Sequence, residues 1–144
     1  MSGSKTYADY LELHTLLSLQ GNDSELSNDE QHFMIVHQVF ELWFRLVIIE
    51  LKAARSLLLQ PVLPEDDVPR IVHHLNRCIE IFRLMTSQWK VMETLTPQDF
   101  LAFREGLGTA SGFESYQMRE LELMLGLKQS QRVQEMDPLA HFRK

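Results

Sequence analysis

The sequence predicts an all-α protein, a helical bundle of about five helices with one long central helix, built to associate with other chains. Three observations carry this. Apolar residues recur at helical spacing through most of the chain, and no stretch alternates apolar and polar residues as a strand would. One segment of about thirty residues, ending near Leu59, keeps that period with no Gly or Pro inside. The 144 residues contain only 6 Gly and 5 Pro, too few for a chain of many β-turns. The length suits one domain over residues 1–144.

The elements follow in order. Tyr7, Tyr10, Leu11, Leu13, Leu16, Leu17 and Leu19 form one broad apolar face, which predicts a helix over 7–19. Gly21-Asn22-Asp23-Ser24 reads as a loop. Asn28 suits an N-cap, with Asp29 and Glu30 where a helix N-terminus favours negative charge. The long helix follows, roughly 45 Å at 1.5 Å per residue. Phe33, Val36, Phe40, Trp43, Phe44, Val47 and Leu51 lie near one stripe, with Ile48 beside it. A helix this long in a small protein points to a bundle or an oligomer.

Pro61, Pro64 and Pro69 punctuate the connection to the next helix. Pro69 suits its first turn, with Asp66 or Asp67 near the cap, and the helix runs to about Thr94. Thr96-Pro97-Gln98-Asp99 opens a short helix with Thr96 as N-cap, and Gly106 and Gly108 end it. Residues 108–112 form a small-residue loop. A last helix spans 115–125 and closes at Gly126. Weak periodicity and Pro138 predict partial order at best over 128–144.

Composition removes several functions. The 14 Lys+Arg against 20 Asp+Glu leave a net charge of −6, which disfavours a nucleic-acid binder working by phosphate neutralisation. The single cysteine, Cys78, excludes an internal disulfide framework and a multi-Cys zinc site. No apolar run approaches the roughly 18 residues of a membrane span. With no signal-like N-terminus, a reducing cytoplasm is the expected location.

The chemistry-bearing residues form small groups. His37 and Glu41 share a helix face, and Phe33, Phe40 and Phe44 surround the imidazole. An ionisable ring on an aromatic face is either a satisfied core group or a site group. Arg104 follows Phe100 by one turn and precedes the small-residue loop. It could grip a carboxylate with two prongs, or pair with Asp99, Glu105 or Glu114. Arg119 and Glu122 make an i, i+3 ion pair. His73 and His74 point about 100° apart, which suits no single metal. A metal site on His37 and Glu41 alone has too few ligands.

Four blocks then carry a family resemblance: YADYL at 7–11, NDEQHFMIVHQVFELWFR at 28–45, DFLAFR at 99–104 and ASGFESYQMR at 110–119. In order and spacing they resemble tryptophan 2,3-dioxygenase, across roughly residues 5–127. The resemblance implies an all-helical haem enzyme, assembled as a homo-oligomer, that inserts both atoms of O2 across the indole C2–C3 bond of L-tryptophan. It implies that His37 hydrogen-bonds the indole N–H as a catalytic group and that Arg104 binds the substrate carboxylate. Phe33 and Phe100 become pocket walls. Tyr7, Tyr10 and Leu11 complete the pocket of a neighbouring subunit, and Ser111 and Gly112 lie in the loop over the distal haem face. Glu114 stands where the family usually has glutamine.

The family's C-terminal half, with the proximal histidine that ligates haem iron and a Gly-Thr-Gly-Gly-Ser-Ser-Gly-like loop, has no counterpart in these residues. Two classes of function follow. One is a haem-dependent oxidation of an aromatic amino acid, with the axial ligand from His73, His74, His141 or a complementary chain. The other is a truncated, inactive helical binding or assembly module.

Overall fold

The computed structural model describes residues 5–21 and 25–131. Among them there are six α-helices and no strand: α1 (Tyr7–Leu11), α2 (Leu13–Leu16), α3 (Asn28–Leu58), α4 (Val68–Met92), α5 (Pro97–Arg104) and α6 (Tyr116–Met124). The central helix α3 packs antiparallel to α4 as a long hairpin, and α6 and α5 pack against α3.

The capping chemistry sets the boundaries. Ser27 Oγ accepts from the Glu30 N–H, so the N-cap of α3 is Ser27, and Asn28 is the first helical residue rather than the cap. Asp67 caps α4 without a side-chain bond to its backbone, because its carboxylate instead accepts from Gln60 and from Arg70 at 2.8 Å. Thr96 and Asp99 cap α5 reciprocally with Pro97 in the first turn. Ser115 caps α6, and Gly126 ends it at φ 73°, a left-handed position that suits a residue with no Cβ.

The single helix expected over 7–19 is two. Glu12 adopts φ 50° and breaks it after one capped turn. The leucine face is only partly covered: Leu13 and Leu16 are half-buried, whereas Leu11, Leu17 and Leu19 are exposed, which is too little packing to hold a continuous helix. Tyr7 and Tyr10 are 75% and 74% exposed, and no residue of α1 or α2 is buried. The segment is tied down beyond that point, where Gln20 Nε2 donates to Gln38 Oε1 and Gln38 Nε2 donates to the Leu19 carbonyl, both at 2.9 Å.

The core sits between α3, α4 and α6. Phe40, Val47 and Ile48 meet Cys78, Ile81 and Met85 across the hairpin, and Leu121 closes the cluster, with Val36, Trp43, Phe44 and Leu51 packed around it. This is the stripe that the helical period of α3 predicts. At the far end of the hairpin Glu50 is 5% exposed and fully engaged. It accepts from His74 Nδ1 and from Arg77 Nη1, each at 2.6 Å, while Arg77 Nη2 donates to His73 Nε2. Burial pushes the Glu50 carboxyl up, but the bonds and charges of His74 and Arg77 outweigh it and hold the group below its ordinary value. Burial, and then the Glu50 charge, push the Cys78 thiol up, which leaves it protonated and a poor nucleophile. No helix among the described residues is long and apolar enough to cross a membrane. His141 and most of the segment expected to be partly ordered lie outside the described residues; 129–131 form a 3₁₀ turn.

Candidate functional site

His37 stands where two clefts meet. Its Nδ1–H donates to the Phe33 carbonyl one turn earlier at 2.7 Å. That bond fixes the ring and leaves the Nε2 lone pair of the neutral imidazole as an acceptor. The Phe33 ring stacks on the imidazole at 4.3 Å between centroids. Glu41, one turn on, takes no part in this: its Oε2 and its carbonyl both accept from Gln117 Nε2 of α6, each at 2.8 Å.

The first cleft encloses about 570 Å³ between α3, α4 and the start of α6. Its walls are flat and apolar, made of Phe40, Phe44, Phe82, Met85, Trp89 and Phe113 among others, with Ser111 and Gly112 at one side. Phe40 of α3 and Trp89 of α4 meet in its wall, their tilted rings 5.1 Å apart. The second cleft, about 610 Å³, lies on the other side of His37 and Glu41 under the Leu16–Gln20 segment, with Phe33, Arg45 and Leu107 in its lining.

Arg119 is the unusual polar group of the first cleft. The residue is 7% exposed, its Nη2 lies 3.0 Å from Glu122 Oε1 as the helical spacing predicts, and its Nε is buried with no hydrogen-bond partner. An unmet buried donor costs on the order of 1–3 kcal/mol. An orphaned guanidinium N–H in an apolar cleft is the kind of group that a bound anion satisfies.

The expected site residues divide accordingly. His37, Ser111 and Gly112 line the first cleft, and His37 and Phe33 line the second. Phe100 lies behind Phe33, its ring 5.6 Å away, and Phe103 completes an aromatic triad with them. Arg104 lines neither cleft. Its Nη1 donates to the Gly108 carbonyl at 3.1 Å and its guanidinium stands 5.9 Å over the Phe100 ring. Among the described residues the carboxylates of Asp99, Glu105 and Glu114, expected as alternatives, form no ion pair with it; Asp99 is taken up by the Thr96 cap. Tyr7, Tyr10 and Leu11 line neither cleft. His73 and His74 do not reach the first cleft, because Arg77 and Glu50 hold them at the other end of the hairpin. Among the described residues no three His, Cys, Asp or Glu side chains converge as a metal group. Sequence reasoning missed Arg119 and Gln117 as cleft residues. Their signal was the buried side of a short helix, readable only once α6 is packed on α3.

A family model described as tryptophan 2,3-dioxygenase matches residues 1–140. The chain belongs to the tryptophan 2,3-dioxygenase family. A Ralstonia nicotianae protein named tryptophan 2,3-dioxygenase 2 is 45% identical over 132 residues, covering 89% of this chain and 36% of that protein. A tryptophan 2,3-dioxygenase of Rhodococcus jostii is 44% identical over 139 residues, 94% of this chain and 47% of that one. That of Aedes aegypti is 43% identical over 131 residues, covering 88% and 33%. The chain thus spans between a third and a half of the length of these relatives. In this family member, both clefts and the imidazole between them lie inside the matched region.

Proposed function

We propose that this chain forms the substrate-facing part of a haem pocket in which L-tryptophan is held for dioxygenation to N-formylkynurenine. The observation that carries the reading is the state of His37: one ring nitrogen is committed to backbone, and the residue lines an apolar cleft, which leaves the other nitrogen to meet a ligand.

The residues fit a porphyrin. Phe40, Phe44, Phe82, Trp89 and Phe113 present aromatic faces to it, Met85 fills the irregular space between them, and the orphaned Arg119 donor awaits an anion. When bound, haem supplies the activation of O2, which side chains cannot perform. The protein's share is positioning. His37 Nε2 accepts the indole N–H and so orients the ring edge. Arg104 swings its remaining donors from the Phe100 face toward the substrate carboxylate, for which the guanidinium fork is suited. Phe33 and Phe100 wall the indole, and Ser111 and Gly112 allow close approach of the loop to the bound group. Tyr7, Tyr10 and Leu11, exposed on α1, close the pocket of a second copy. His73 and His74 are engaged elsewhere, so the histidine that would hold the haem iron would have to come from His141, outside the described residues, or from a complementary polypeptide.

The role of Arg104 is tested by affinity. Arg104→Ala should weaken L-tryptophan binding about a hundredfold, the loss of two charge-assisted hydrogen bonds, and leave indole nearly untouched. Equal loss for both ligands removes the carboxylate role. The second reading, an assembly module without catalysis, is favoured by the exposed apolar side chains of α1, and it predicts self-association with no binding of either ligand.

A further inference from the structure

We propose that the second cleft is a binding site for a free zwitterionic amino acid with an aliphatic side chain, its ammonium held at Glu41 and its carboxylate at Arg45. The site is separate from the first cleft and needs no haem.

Glu41 and Arg45 stand four apart on α3, the spacing at which an acid followed by a base ordinarily pairs across one helical turn. Both line the second cleft, yet among the described residues no ion pair joins them. Glu41 is drawn the other way, because its Oε2 accepts from Gln117 Nε2 of α6 at 2.8 Å. Glu41 Oε1 and the side-chain oxygen of Gln117 are left as open acceptors. The Arg45 guanidinium keeps its donors, since its nearest acidic neighbour on the helix face is turned away and Glu120, the other carboxylate of the lining, meets Lys52 Nζ at 2.6 Å. The remaining polar groups are taken. Gln20 and Gln38 bond each other and the Leu16 and Leu19 carbonyls, and His37 Nδ1 is held by Phe33.

The cleft therefore has one open anionic pole and one open cationic pole, about 5–6 Å apart at their Cβ atoms. The ammonium and carboxylate on a single α-carbon bridge such a span. A lone cation or a lone anion would leave one pole unmet, and a neutral apolar body would leave both. The walls select the side chain. They are mainly aliphatic or thioether, from Leu16, Leu19, Met34, Leu42 and Leu107, against the phenyl and indole walls of the first cleft. The Gln20–Gln38 pair fixes the Leu16–Gln20 segment as a roof, and the volume of about 610 Å³ suits a small ligand.

The test is isothermal titration calorimetry on the 144-residue chain without haemin, with circular dichroism checking that each variant is helical. The probes are L-leucine, isopentylamine, which lacks the carboxylate, and isocaproate, which lacks the ammonium. Each analogue should bind about tenfold or more weakly than L-leucine, the worth of a charge-assisted hydrogen bond. In Arg45→Gln, L-leucine should fall to the level of isopentylamine, and isopentylamine should fall no further. Glu41→Gln keeps an acceptor for Gln117 and removes the charge, so L-leucine should fall to the level of isocaproate with isocaproate unchanged. Arg104→Ala should leave the affinity for L-leucine as it was. Equal affinity for the three probes, or no saturable binding of L-leucine, overturns the site and leaves the haem pocket standing. Loss of L-leucine binding in Arg104→Ala places the amino acid at the first-cleft side and likewise overturns it. Should Glu41→Gln not fold, Arg45→Gln and the two analogues decide the matter.

Discussion

The two ends of the α3–α4 hairpin both place histidines and buried charge against the core, and they treat them in opposite ways. At one end Glu50, His74, Arg77 and His73 form a closed set: both carboxylate oxygens accept short bonds and each ring has a partner. At the other end, roughly 20 Å along α3 at 1.5 Å per residue, His37 uses one nitrogen and Arg119 leaves Nε unmet. Residue type alone does not separate these clusters. What separates them is whether the polar atoms are satisfied within the chain. The satisfied end locks the hairpin, and the unsatisfied end faces clefts of several hundred Å³. Buried donors left open are a cost to folding, and the one on Arg119 belongs to a residue in the wall of an apolar cleft, which is what marks this end as the candidate site.

The largest effect is expected at Glu50. Glu50→Gln keeps the size of the group but removes the charge that two donors grip, and the expected loss is about 2 kcal/mol of folding stability, with haemin and tryptophan binding unchanged in the folded fraction. The measurement is a denaturant titration beside a ligand titration. The same residue sets an acid limb. Its carboxyl is lowered in the folded chain from an ordinary value of 4.5, so its contribution is fully present above about pH 4.5 and disappears as pH falls through the lower folded value. The unmodified chain should lose stability below that pH more steeply than Glu50→Gln. A variant with the same acid slope would mean that Glu50 is not the group responsible.

The smaller effect is at His37. His37→Ala removes one hydrogen bond to the Phe33 carbonyl and part of a ring stack, so the expected stability loss is only about 1 kcal/mol, while tryptophan affinity falls. A drop as large as that of Glu50→Gln, with binding preserved, would place His37 among the satisfied core histidines and erase the contrast between the two ends.

Much of the fold was legible because it is local. The stripe from Phe33 to Leu51, the Thr96–Asp99 capping box and the Arg119–Glu122 pair depend on residues three or four apart, and the helix period or cap geometry determines them. The break at Glu12 was not legible: the leucines of 11–19 have the right period, but periodicity does not say whether a partner surface exists to reward a continuous helix. The site divides along the same line. His37 among phenylalanines could be singled out from spacing. The engagement of Glu41 by Gln117, seventy-six residues away in sequence, could not, and neither could the position of Arg119 in the cleft wall, because both depend on how α6 packs against α3. The family blocks supplied roles for Arg104 and Ser111 that spacing alone leaves open, since an arginine next to a small-residue loop is as readily a surface group as a carboxylate clamp.

An absorption titration of the chain with haemin, run with and without L-tryptophan, tests the proposed pocket. A haem pocket with a substrate site beside it gives a saturable Soret band, displaced when L-tryptophan is added to the unmodified chain and insensitive to it in Arg104→Ala. A band that never saturates, or one that L-tryptophan leaves unmoved, would contradict a haem pocket with a substrate site beside it.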